Sequence, residues 1–136
     1  MMTLSQAESA IYKRIGQFTG VDKANLRIEN QPLNNGQPFK VPTDKPWCKV
    51  FVQYADSQVV AIGNGPCIRD YGIISIQCFT PKNSGTLAMT ELCDKWRTLL
   101  QSFGVSHLEI YKVHAPQSMD DQDFYAKIIR AEFRVN

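Results

Sequence analysis

From about Thr86 to Phe103 the apolar side chains Met89, Leu92, Cys93, Trp96, Leu99, Leu100 and Phe103 recur at helical intervals, with Glu91, Asp94, Lys95 and Arg97 opposite. This is the pattern of an amphipathic helix resting on a core, and Gly104 is its natural stop. An earlier stretch repeats it, with Ala7, Ala10, Ile11, Ile15 and Phe18 on one face. Ser5-Gln6-Ala7-Glu8 fits a capping box, in which the serine hydroxyl accepts from the first turn and the glutamate reaches back to the cap. The spacing predicts a first helix from Ser5 to Phe18, closed before Gly20.

Elsewhere the alternation has the period of a strand. Trp47 to Tyr54 puts Cys48, Val50, Val52 and Tyr54 on one face and Trp47, Lys49, Phe51 and Gln53 on the other. Bulky apolar groups on both faces predict a central strand covered on both sides. Asp56-Ser57 marks a turn and Val59 to Ile62 a returning strand. Ile68 to Phe79 reads as a long strand, with Ile74, Ile76 and Cys78 on one face and Ile73, Gln77 and Phe79 on the other, and turn residues follow from Pro81 to Gly85. His107 to Ala115 and Phe124 to Val135 are two further strands, joined by a turn from Pro116 to Asp123. The last sends Ile129, Ala131, Phe133 and Val135 one way and Arg130, Glu132 and Arg134 the other, so its second face meets solvent or a charged neighbour.

Leu26 to Glu29 is a short edge strand. After it Pro32, Pro38, Pro42 and Pro46, with Asn34-Asn35-Gly36, forbid a regular element from Asn30 to Pro46. A loop this long in a small domain is usually functional, and it reads as an arm that reaches a neighbour. The order α-β-β-β-β-α-β-β with short connections predicts an α+β fold: a mainly antiparallel five- to six-stranded sheet with two amphipathic helices packed on one face. At 136 residues, without repeat or linker, the chain is one domain, 1–136.

Composition narrows the classes. Apolar residues make up 43% and charged residues 21%, which suits a globular core and not a disordered tail. Fifteen Lys and Arg oppose 13 Asp and Glu, and Lys13-Arg14 is the only adjacent basic pair. A protein that neutralises many phosphates needs a basic stripe, so direct DNA binding is disfavoured while a passive DNA channel stays open. Met1 to Phe18 lacks the order of a signal peptide and no stretch has the length of a membrane span, so the expectation is a soluble protein made in the cytoplasm.

Catalytic chemistry finds little to work with. Cys48, Cys67, Cys78 and Cys93 show no C-x-x-C spacing, which argues against zinc and redox motifs and for reduced, buried thiols. His107 and His114 lie seven residues apart on one predicted strand and so on opposite faces, where they cannot share a metal. Cys78 and His114 would be neighbours in some sheet orders, yet nothing local marks an activated thiolate. Gly63-x-Gly65 precedes a strand and not a helix, so it reads as a hairpin turn and not a phosphate loop. Asp120, Asp121 and Asp123 lack the frame of a calcium loop. They are either a solvated turn or, in a ring, channel-facing carboxylates that keep DNA sliding. No catalytic residue, metal or cofactor is assigned.

One resemblance spans nearly the whole chain. Pro38-Phe39 before Trp47, Gly63-x-Gly65-Pro66-x-x-Arg69-x-x-Gly72 and Ile76-Gln77-x-Phe79-x-Pro81-x-x-x-Gly85 resemble the tail-terminator-like neck proteins of long-tailed bacteriophages (siphophages). Pro116-x-Ser118 and the closing strand from Phe124-Tyr125 to Phe133-Arg134 continue the likeness. The resemblance implies a non-enzymatic virion protein. Such a subunit forms a ring, typically a hexamer, at the head-proximal end of the tail tube, ends tube polymerisation and joins the tail to the head connector. Its partners would be further copies of itself, the tail tube protein and the connector or head-completion protein, with DNA as passing cargo and no membrane.

A ring subunit needs two unlike, complementary patches. Phe39, Lys40, Arg69 and Asp70 are the expected subunit or tube contacts, the last two as an inter-subunit ion pair beside a turn. Trp47 and Phe51 would serve either an exposed patch or the core. The arm and the hairpin from Gly63 to Tyr71 would carry these contacts. Another neck role, in head or tail completion, shares the same composition. A small enzyme or ligand-binding module would need a deep pocket with convergent polar groups.

Overall fold

The structure, a computed structural model, describes residues 2–32, 36–61 and 67–136. The expected turn at Gly63 to Pro66 and the Asn34-Asn35 pair lie outside the described residues. In chain order the elements are α1 (Leu4–Ile15), a 3-10 turn (Lys23–Asn25), β1 (Leu26–Ile28), β2 (Trp47–Tyr54), β3 (Gln58–Ala61), β4 (Cys67–Pro81), α2 (Leu87–Gln101), β5 (Gly104–Val105), β6 (Leu108–Val113), β7 (Gln117–Met119) and β8 (Phe124–Val135).

β4 and β8 form the spine, antiparallel from Asp70 opposite Val135 to Pro81 opposite Phe124. The sheet runs β1-β2-β4-β8-β6-β5, with β3 also pairing β4 and β7 also pairing β8. The expected class is therefore right, and most pairs are antiparallel, but among the described residues the sheet has eight strands and is mixed and curled. The exception is β1, which runs parallel to β2 with Leu26 opposite Cys48 and Ile28 opposite Val50. A parallel neighbour needs a crossover of a dozen or more residues, and the proline-rich arm between the two strands supplies one without a helix. Part of what reads in sequence as an arm for a neighbour is thus a topological requirement of the fold.

Both helices pack on one face, as expected. Cys48, Val50 and Val52 of β2, Ile74, Ile76 and Cys78 of β4 and Ile129, Ala131, Phe133 and Val135 of β8 join Ala7, Ile11 and Ile15 of α1 and Met89, Leu92, Trp96 and Leu100 of α2 in a single buried cluster. Gly72 is a required gap in this layer. A Cβ there would stand 2.3 Å from the Phe133 ring and 2.7 Å from the Gln53 carbonyl oxygen.

The helix boundaries differ from the expected ones. The capping box is made by Thr3 and Gln6, with Thr3 N–H donating to Gln6 Oε1 at 2.9 Å and Gln6 N–H to Thr3 Oγ1 at 3.2 Å. Thr-x-x-Gln satisfies the same geometry as Ser-x-x-Glu two residues earlier, which leaves Glu8 free to accept from the Tyr54 hydroxyl at 2.6 Å. α1 closes at Gly16, so Phe18 lies past the helix. It is still buried, stacked on Trp96 with ring centroids 3.7 Å apart.

Candidate functional site

The face away from the helices is divided in two. At one end Trp47 stacks on Phe79 with centroids 4.1 Å apart, Phe124 meets both rings edge-on, and Phe39 of the arm lies 5.5 Å from Trp47. Trp47 is 7% exposed, so of its two expected roles the structure gives it the core one. Phe51 is half-buried. Phe39 is half-buried as well, covering its own sheet with the Arg27 guanidinium 5.8 Å from its ring centre, while Lys40 beside it is exposed. β2 is accordingly covered on both sides at its Trp47 end only.

At the other end the face is charged and paired within the chain. Arg134 of β8 donates to both carboxylate oxygens of Glu109 on β6, at 2.6 and 3.3 Å, and its guanidinium lies 5.2 Å from the Tyr111 ring centre. The hydrogen bond from Arg134 holds the Glu109 carboxyl below its ordinary value. Glu132 meets a ring nitrogen of His114 at 2.7 Å and the Lys112 ammonium at 4.0 Å. Arg130 points to solvent. The chain thus neutralises most of this band with its own residues.

The third feature is a hairpin that outruns the sheet. β3 pairs with the first residues of β4, Gln58 opposite Arg69 and Val59 opposite Ile68, whereas β8 ends at Val135 opposite Asp70. Val59 is 60% exposed and Ile68 37%, an apolar cross-strand pair beyond the last register pair of β8. Arg69 and Asp70 lie within β4, two and three residues after its first residue, Cys67. The Arg69 guanidinium donates to Asn136 Oδ1 at 2.6 Å, and Asp70 accepts from the Ser57 hydroxyl. Both are half-buried, each held by its own chain.

Asp120, Asp121 and Asp123 are exposed in the connection from β7 to β8. Asp121 has a local task, its Oδ2 accepting from the backbone N–H groups of Asp123 and Phe124 at 3.0 and 2.9 Å and so setting the start of β8. The strand β7 inside this connection has no sequence signal beyond its proximity to β8. Among the described residues no hydrogen bond or ion pair joins these carboxylates to Arg69, whose partner is Asn136, or to Asp70, whose partner is Ser57.

Cys48, Cys78 and Cys93 gather in the core. Cys48 and Cys78 stand opposite each other on β2 and β4 with sulfurs 3.9 Å apart, and the Trp96 indole N–H donates to Cys48 Sγ at 3.3 Å. Hydrogen bonds to Cys48 and Cys93, with burial, raise the Cys78 thiol, and its bond to Cys93 lowers that one. All three are fully enclosed, without the exposure that a nucleophile needs. Cys78 does not adjoin His114: its neighbour in β8 is Lys127, whereas the His114 N–H donates to the Arg130 carbonyl. Among the described residues no His, Cys, Asp or Glu cluster has the arrangement of a metal site, and no helix is long and apolar enough to cross a membrane.

No family model and no curated protein matches the chain. Among solved structures, one whose name states no function overlays all of this chain and 97% of its own with a TM-score of 0.72 at 12% identity. That likeness is one of fold.

Proposed function

We propose that this chain is a non-catalytic structural protein of a long-tailed phage, the ring-forming terminator at the head-proximal end of the tail tube. In this role it ends tube polymerisation and offers the connector its docking surface, with DNA passing through a channel that the exposed Asp120, Asp121 and Asp123 would line. The ring is a homo-oligomer, a hexamer by the resemblance.

The observation that carries the reading is the hairpin of β3 and early β4. An apolar pair held out past the end of β8 is a liability for a monomer and an asset for a subunit. The motifs from Gly63 to Gly85 that resemble the terminator family begin after β3 and run through β4, the second strand of this hairpin. The half-buried Phe39 with exposed Lys40 places the arm where its outer side remains available to a neighbour.

The test is tube assembly. The cognate tail tube protein is polymerised with and without this chain, and lengths are measured by negative-stain electron microscopy. Tubes arrested with a ring at one end are expected; tubes that elongate equally in its presence overturn the proposal.

A further inference from the structure

A recess on the same chain suits the hairpin. A cavity of about 230 Å³ opens beside β1, between the end of α1 and the arm, with Tyr12, Leu26, Ile28, Pro32 and Phe39 among its lining. Lys23 and Arg27 also line it, and both are exposed. Burial raises the Tyr12 phenol, and the carboxylates of Glu8 and then Glu29 add to it, so two carboxylates also stand near this side chain. The hairpin has the opposite make-up: exposed Val59 and Ile68 flanked by the carboxylates of Asp56 and Asp70.

The chain's own hairpin is out of reach. β1 lies beside Cys48 to Val50, at the start of β2, and the hairpin leaves from the far end of that strand. Along β4, from Ile76 opposite Val50 to Ile68 opposite Val59, is about 26 Å at the roughly 3.3 Å rise of a strand residue. A recess and a projection of complementary character, apart on one molecule, are the two unlike patches of a head-to-tail contact, which closes into a ring when its rotation allows. The edge of β1 is already partly occupied, its Leu26 N–H donating to the Lys23 carbonyl and its Ile28 carbonyl accepting from Gln31 N–H at 3.2 Å. The occupant is therefore held by side chains more than by extension of the sheet.

We infer that the recess beside β1 receives the β3–β4 hairpin of a second copy of this chain, with Val59 and Ile68 entering among Leu26, Ile28 and Phe39 and with Asp56 and Asp70 facing Lys23 and Arg27. The inference rests on the ring reading and supplies its subunit contact.

Two variants separate the halves. Val59→Lys sets a cation on the hairpin against the cations of the recess, at a side chain already 60% exposed. Gly16→Trp fills the recess from the end of α1. Gly16 has φ −63° and ψ −14°, and a Cβ there would meet the Lys13 and Tyr12 carbonyl oxygens at 3.5 Å, an ordinary contact. Circular dichroism melts confirm that each variant folds, with Val59→Arg and Gly16→Phe as substitutes for either that does not. Native mass spectrometry across a concentration series then reads assembly.

The wild type is expected to form closed oligomers, and each variant alone to lose self-association by about tenfold or more. Mixed, the recess of the Val59→Lys chain accepts the hairpin of the Gly16→Trp chain, which gives a one-to-one dimer of 15.4 kDa chains and nothing larger. Closed oligomers untouched by either variant overturn the contact and leave the ring standing. A wild type that stays monomeric to its solubility limit also overturns the contact, and tube assembly then decides the ring. Open filaments from the wild type, with the mixed dimer intact, uphold the contact and overturn the ring.

Discussion

The two faces of this sheet are built from alternate residues of the same strands, yet they are finished differently. On the helix side β2, β4 and β8 present an apolar set closed by α1 and α2, and Val50, Ile74, Ile76, Ile129 and Phe133 are fully buried. On the other side no helix arrives. That face is closed at one end by the arm's Phe39 over Trp47 and at the other by ion pairs between neighbouring strands, Lys112 with Glu132 and Arg134 with Glu109. Burial against a helix removes apolar surface from water at about 25 cal/mol per Å², while exposed ion pairs contribute ~0–1 kcal/mol each. The helix face should therefore carry the stability and the open face remain free to serve partners.

The largest effect that follows is at Trp96. This side chain is fully buried, stacks on Phe18 and donates to Cys48, so truncation removes a ring stack, a hydrogen bond and the contact between α2 and the sheet at once. Trp96→Ala should destabilise by about 3–5 kcal/mol, read as a lower urea midpoint at unchanged slope. A loss below ~1 kcal/mol would show that the helices are not what holds the sheet.

Phe39 tests the open face. It is half-buried and covers Trp47 from a segment outside any helix or strand, so Phe39→Ala should cost about 1–2 kcal/mol, well below a buried phenylalanine. A cost equal to that of Trp96→Ala would mean that the arm is a second core and not a cover.

The same contrast explains what could be read from the sequence. α2 and the alternation of β2, β4 and β8 were legible because each buries one face against a continuous core, and burial imposes period. β5 and β7 were not, since strands of two or three residues are defined by a neighbour's open edge and leave no period of their own. The parallel pairing of β1 was hidden because its cause is the length of the arm and not any residue in the strand. Among the site residues, Arg69 and Asp70 lie in the strand that the alternation predicts, but their partners Asn136 and Ser57 are distant in sequence or chemically ordinary. The recess beside β1 was missed altogether. It is assembled from α1, β1 and the arm, and a groove between three elements has no local signature.

The smallest effect is at the charged end of the open face, and its sign is set by the Glu109–Arg134 pair. Arg134 holds the folded-state carboxyl below its model-peptide value of 4.5, so the pair stabilises the fold above that pH. The contribution is lost as pH falls through the lowered folded value, where the native carboxylate also takes a proton. Glu109→Gln keeps the shape and removes the charge. The wild type should melt slightly higher than this variant at pH 7, with a gap that narrows below about pH 4.5 and shrinks in high salt, as expected for a pair exposed to solvent. Melting curves of the two proteins across pH 3 to 7 read it directly. A gap that stays constant across that range would mean that Glu109 acts through packing beside Tyr111 and not through its charge, and the open face would then be more like the helix face than its ion pairs suggest.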